Sequence, residues 1–216
     1  MTIRYLTHFG LVALIVSGST AMLTVAHAED EKLKSDASAE KAEKKEVGKK
    51  ADETVEIKIS ELDLKLPKSW KQSDATLPMR LATFEVPASE GDKENGEFVV
   101  YSFPGGGGGV DANIGRWVGQ FGVEGREAVV RQGKAGESEY FIANISGTYM
   151  KPDGPPILRK TKETPGYRMI SVILDLEAKG VYFLKLTGPD ATVAAQLDAV
   201  RASFSGKLED EKEYEF

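Results

Sequence analysis

The sequence predicts an α+β fold: a single α/β/α sandwich with a largely antiparallel sheet and helices packed on it. Three observations predict it. Several segments alternate apolar and charged residues, two others are apolar on both faces, and two stretches carry an apolar stripe at helical spacing. A sheet with covered central strands and half-exposed margins fits helices on each side.

The strands come first. VEIKI (55–59) and LDLKL (62–66) alternate strictly, as half-buried strands do, and RLATFEVP (80–87) alternates up to its proline. EFVVYSF (97–103) and RMISVILDL (168–176) are apolar on both faces. EYFIANISGTY (139–149) is a long strand expected to pair with AVVRQ (128–132) through a turn around residues 133–136. VYFLKLT (181–187) follows 168–176 across a short turn ending in Gly180, a hairpin signal. Hairpin connections predict mostly antiparallel pairing.

Two helices are expected. Asp111 reads as an N-cap, with Ile114, Trp117, Val118 and Phe121 on one face and Gly122 closing the helix. Near the end, Asp190 precedes Val193, Leu197, Val200 and Phe204, with Gly206 beyond.

The flanking segments divide the chain further. Arg4, an apolar run through Val25 and the small-residue site Ala26-His27-Ala28 have the order of a secretory signal peptide, cut between Ala28 and Glu29. Cleavage predicts an exported, periplasmic or secreted protein; an uncleaved segment would make it membrane-anchored. Residues 29–53 hold nine acids and seven lysines with only Leu33 and Val47 as large apolar side chains, a composition expected to stay disordered as a linker. Residues 54–208 form the expected globular domain and 209–216 an acidic tail. That tail is either solvated or captured through its C-terminal carboxylate by strand addition to a PDZ domain.

Composition excludes several chemistries. There is no cysteine, and both histidines, His8 and His27, lie in the signal segment. The processed chain therefore lacks Ser-His-Asp and Cys-His nucleophile systems and the usual zinc ligands. An acidic chain, net −6 in full length, does not suit nucleic acid. No cofactor, metal or catalytic residue is assigned from sequence. Glu90, Asp92 and Glu94 lie at calcium-like spacing, but the EF-hand glycine and final glutamate are missing.

Two loops are candidate binding sites. Gly105, Gly106, Gly107, Gly108 and Gly109 lie between a strand and a helix, where backbone N–H groups can meet an anion, and Arg116 follows on that helix. Gly107, Gly109 and Ala112 fit G-x-G-x-x-A, yet the parallel βαβ unit is missing and no Walker lysine follows. The other reading is a permissive crossover. The second candidate is KPDGPPILRKTKETPG (151–166), a long connection where Lys151, Arg159, Lys160 and Lys162 form a basic patch for an anionic partner, or a solvated loop.

The motifs ANIGRWVGQF (112–121) and KLTGP (185–189), with LPKSW (66–70) and EFVVYSF before them, resemble a family of uncharacterised exported bacterial proteins. The close resemblance covers about residues 66–204. More distantly the order of elements is similar to the Mog1/PsbP-like α/β/α sandwich. That resemblance implies a small accessory or binding protein without a common catalytic site. The function expected is a non-catalytic binding or accessory module of the cell envelope, with a protein or envelope polymer as partner. The alternative is a carboxylate-based hydrolase free of histidine and cysteine.

Overall fold

Every strand pairing in the computed structural model is antiparallel. It describes residues 53–74, 79–158 and 160–216. The signal segment, the Ala28–Glu29 site, residues 29–52 of the linker and Arg159 lie outside them. The strands are β1 (Thr54–Ile59), β2 (Leu62–Pro67), β3 (Lys71–Gln72), β4 (Arg80–Val86), β5 (Gly96–Ser102), β6 (Glu127–Ala135), β7 (Ser138–Pro152), β8 (Thr161–Asp175), β9 (Val181–Pro189) and β10 (Lys212–Glu213). Three short helices accompany them: α1 (Val110–Val118), α2 (Asp190–Ala194) and α3 (Leu197–Ser203). The main sheet has eight strands in the order β10-β6-β7-β8-β9-β5-β4-β3, and β1 and β2 form a separate hairpin.

Alternation along each strand sorts its side chains onto two faces. On one face Phe84, Phe98, Val100, Ile142, Ile170, Val172, Leu184 and Leu186 join a cluster with Leu62, Leu64 and Leu66 of β2. Val193, Val200 and Phe204 complete it from the C-terminal helices. On the other face Ala143, Ile145, Met169, Ile173 and Phe183 pack with Ile114, Trp117 and Phe121. Burying a side chain of this size is worth roughly 1.5–3 kcal/mol, so these two clusters dominate the stability.

The expected single α/β/α sandwich of Mog1/PsbP-like layout is corrected by this arrangement. One face is closed by the β1–β2 hairpin together with two helices of five and seven residues, the other by one nine-residue helix. The reason lies in segments 55–59 and 62–66. Their alternation is that of marginal strands, but they pair only with each other among the described residues, and β2 lays its leucines on the cluster as a cover. The C-terminal stripe also does not make one helix, because the chain opens at Gln196 (φ −102°, ψ 0°). Its apolar face survives the break.

Three local expectations change as well. Gly109 occupies the N-cap of α1 with no side-chain cap, and Asp111 instead accepts from the Tyr214 hydroxyl at 2.6 Å. Helix α1 ends at Val118, before Gly122. Much of the 151–166 connection is strand, because β7 and β8 run on as a long hairpin with Lys151 opposite Lys162.

The acidic end is built into the fold. β10 adds to the sheet edge at Arg131 and Gln132 of β6. The Glu211 side chain is fully buried, 2.6 Å from Arg201 Nε and 3.0 Å from Arg131 Nε, and it accepts from the Tyr140 hydroxyl at 3.0 Å. Tyr214 sets its ring edge-on to Phe141 at 4.9 Å.

Candidate functional site

Helix α1 covers only part of its face of the sheet. Beyond its C-terminal end, the same face continues over β4, β5, β9 and the β7–β8 arm as an open groove of about 520 Å³. This volume suits a drug-sized ligand or a polymer segment. Its floor carries Lys185, Thr187 and Val99. Arg80 and Glu97 stand on one side, Tyr149, Tyr167 and Lys151 on the other.

Register explains why these residues meet. Lys185 lies opposite Val99 on β5 and opposite Ser171 on β8, so the three side chains share a face. Thr187 lies two residues on along β9 and opposite Glu97. Gln120, just past α1, drops onto the floor and accepts a hydrogen bond from Lys185 Nζ at 2.8 Å. The Lys185 ammonium also sits 5.8 Å from the Tyr149 ring centre. Gly188 would turn a side chain to the opposite face, where a Cβ would stand 2.9 Å from the Gly96 Cα and 3.3 Å from Val193.

The electrostatics are uneven. Arg80 pairs with Glu97 at 2.8 Å, and Lys151 lies 3.3 Å from Glu94. Lys185 has no carboxylate within ion-pair distance among the described residues. Burial away from water is the largest influence on it and pulls its pKa from 10.5 down to about 8; Glu97 opposes this and Arg80 adds to it. Burial raises the Tyr149 phenol to about 12. The Tyr167 hydroxyl donates to Glu94, and that bond, with Lys151 beside it, holds the Glu94 carboxyl below its ordinary range. Tyr149 and Tyr167 stack nearly parallel, 5.9 Å apart. Two hydroxyls in this region, Thr187 Oγ1 and Ser171 Oγ, are buried without a hydrogen-bond partner.

The glycine run lies elsewhere. Gly105, Gly106, Gly107 and Gly108 have φ of 78°, 79°, 68° and 96°, a left-handed path that other residues follow at a cost. A Cβ on Gly107 would meet the Phe183 ring at 2.8 Å. The buried Asn113 amide donates to the carbonyls of Gly107, Gly108 and Gly109 at 3.2, 3.3 and 2.9 Å, and Arg116 donates back to Asn113 Oδ1. The loop thus aims three carbonyls at its own helix, and its glycines do not line the groove.

Of the basic residues singled out in sequence, Lys151 lines the groove, Lys160 pairs with Asp153 at 2.6 Å, and Lys162 lies exposed on β8. Arg159 lies outside the described residues. The tip of that hairpin exposes Ile157 and Leu158 by 88% and 66%. The three calcium-spaced acids part company: Asp92 accepts from the Thr192 N–H and hydroxyl of α2, while Glu94 turns to the groove. Lys185, Thr187 and Gln120 escaped sequence reading, although both motifs contain them. A lysine inside the otherwise apolar VYFLKLT was the available signal.

No family model matches the chain, and no curated protein matches it. A solved Pseudomonas aeruginosa protein of unknown function is similar to 68% of this chain over 91% of its own, at 16% identity and a TM-score of 0.37. A likeness at that level carries no functional argument.

Proposed function

We infer that this protein is an exported, non-catalytic binding module of the cell envelope whose partner or ligand seats in the groove over Lys185 and Gln120. The N-terminal signal features support export, and the charged linker supports a domain held on a tether. The observation that carries the binding reading is the groove floor itself. A half-buried ammonium without a carboxylate in ion-pair distance, beside the unpartnered Thr187 hydroxyl, costs folding energy that an apolar floor would avoid. A site that retains such groups fits ligand contact better than scaffold.

The hydrolase alternative gains little from the same geometry. Such chemistry needs one carboxyl held protonated near neutral pH and a second free to act. Glu94 and Glu97 line the groove, but each is paired with a cation, and Glu94 is held below its usual range rather than above it.

The test is affinity capture from envelope fractions after crosslinking, run in parallel with the wild-type chain and Lys185→Met. The inference expects a species recovered by the first and depleted with the second. Equal recovery with both, or recovery with neither, overturns it. Intact mass of the exported chain separately decides between a cleaved and an anchored form.

A further inference from the structure

We propose that the groove takes a small organic anion, its charged oxygens seated between Lys185 Nζ and the Thr187 hydroxyl. The assignment deepens the binding-module reading and rests on it.

Three features of the floor converge on this ligand class. An ammonium carries three donors, and Lys185 uses one on Gln120. Its remaining donors face a groove in which the two other cations, Arg80 and Lys151, are already matched by Glu97 and Glu94. Thr187 Oγ1 is buried, lines the groove and has no partner, whereas buried hydroxyls are ordinarily satisfied. A negatively charged oxygen accepts from both groups at once; a cationic ligand would meet the ammonium unfavourably. Beside the floor, Tyr149 and Tyr167 line the groove while stacked on each other and mostly buried, at 6% and 7% exposed, so they bound the anion seat rather than offer it a free ring face.

The groups facing Lys185 also make the site pH-sensitive. They are Arg80 from β4, Glu97 and Tyr101 from β5, Glu94 from the turn before β5, Tyr149 and Lys151 from β7, and Tyr167 from β8. Counting Lys185, three cations stand against two carboxylates. Burial leaves Lys185 partly neutral around pH 8, and a bound anion would restore its charge. Binding should therefore take up a proton near that pH and weaken as pH rises further.

Calorimetric titration of the full chain with phenyl phosphate, benzoate and neutral benzamide tests the proposal, and the first two distinguish a phosphoryl from a carboxyl ligand. At least one anion should bind about 10-fold or more tighter than benzamide, the worth of a charge-assisted hydrogen bond. That affinity should fall at pH well above 8, drop by a similar factor in Thr187→Val, and be abolished in Lys185→Met. Circular dichroism of the variants checks that each is folded. Benzamide binding as tightly as the anions would overturn the anion assignment while leaving a ligand groove. Undiminished anion binding by folded Lys185→Met, or no anion binding at millimolar concentration, would also overturn it. Failure of the envelope capture, by contrast, strikes the binding-module reading itself.

Discussion

Lys185 donates from its ammonium to the Gln120 side-chain oxygen at 2.8 Å, joining strand β9 to a residue just past α1. The two residues are 65 positions apart and belong to the two motifs of the chain, KLTGP and ANIGRWVGQF. Other letters of these motifs serve the same junction. Asn113 holds the glycine loop, Ile114 and Trp117 pack on the sheet, and Phe121 meets the Tyr149 ring at 5.2 Å.

Replacing Lys185 by methionine should leave the fold intact and raise its stability near neutral pH. The charged form is disfavoured by burial, and one hydrogen bond to Gln120 offsets only part of that. We expect a gain of about 1–2 kcal/mol in urea unfolding at pH 7. A loss of more than about 1 kcal/mol would mean that Lys185 stabilises the sheet, against the account of a retained cost.

The gain should vanish with alkali. The folded pKa of Lys185, about 8, lies below its ordinary 10.5, so between those values the unfolded chain binds more protons. Stability attributable to this group therefore rises as pH increases through that window. The unfolding free energy of wild type relative to Lys185→Met should climb between pH 8 and 10.5 and level off above it. A difference that is flat with pH would show that the lysine is not perturbed.

The glycine loop yields a paired prediction. Gly107→Ala places a methyl group against the Phe183 ring at positive φ, and should cost about 2–3 kcal/mol. Gly109→Ala has φ −69° and open space, so it should cost less than about 1 kcal/mol, the preference of an N-cap for glycine over alanine. Thermal unfolding of both decides. Equal effects would remove the conformational explanation of the run.

The C-terminus should behave as part of the core. Glu211→Gln leaves Arg201 and Arg131 without their buried carboxylate and should cost about 3–5 kcal/mol in denaturant unfolding. Truncation after Asp210 should do at least as much harm, since it also uncovers Tyr140 and Phe141. A truncated chain as stable as the full one would make the last residues a mere appendage.

Much of the sheet was legible from period alone. The alternation of residues 55–59 and 62–66, the two-faced apolar runs at 97–103 and 168–176, and the Gly180 turn all correspond to strands and a hairpin in the fold. Period could not say which sheet a strand joins. The β1–β2 pair therefore read as sheet margin when it acts as cover, sharing that face with two short helices in place of a full helical layer. The tail was misread because Glu211 and Tyr214 look like any acidic terminus until Arg201, Arg131 and Phe141 are brought to them from far along the chain.

The groove was illegible for a different reason. Lys185, Thr187 and Gln120 are polar residues at positions that local pattern assigns to solvent. Their burial depends on where α1 stops and on how β5, β8 and β9 align, which are long-range facts. The conspicuous features, five glycines and a basic loop, drew attention to backbone conformation and to lysines of which Lys151 and Lys160 are already neutralised by Glu94 and Asp153.

Site-resolved photocrosslinking tests the central claim most directly. A photoreactive side chain is placed at Val99 on the groove floor, at Gly109 in the glycine loop, or at Leu158 on the hairpin tip, and each chain is illuminated in its own envelope. The account predicts a specific adduct from position 99 that is lost when Lys185→Met is added, with little from the other two. An adduct from position 109 or 158 that persists in Lys185→Met, with none from 99, would contradict it.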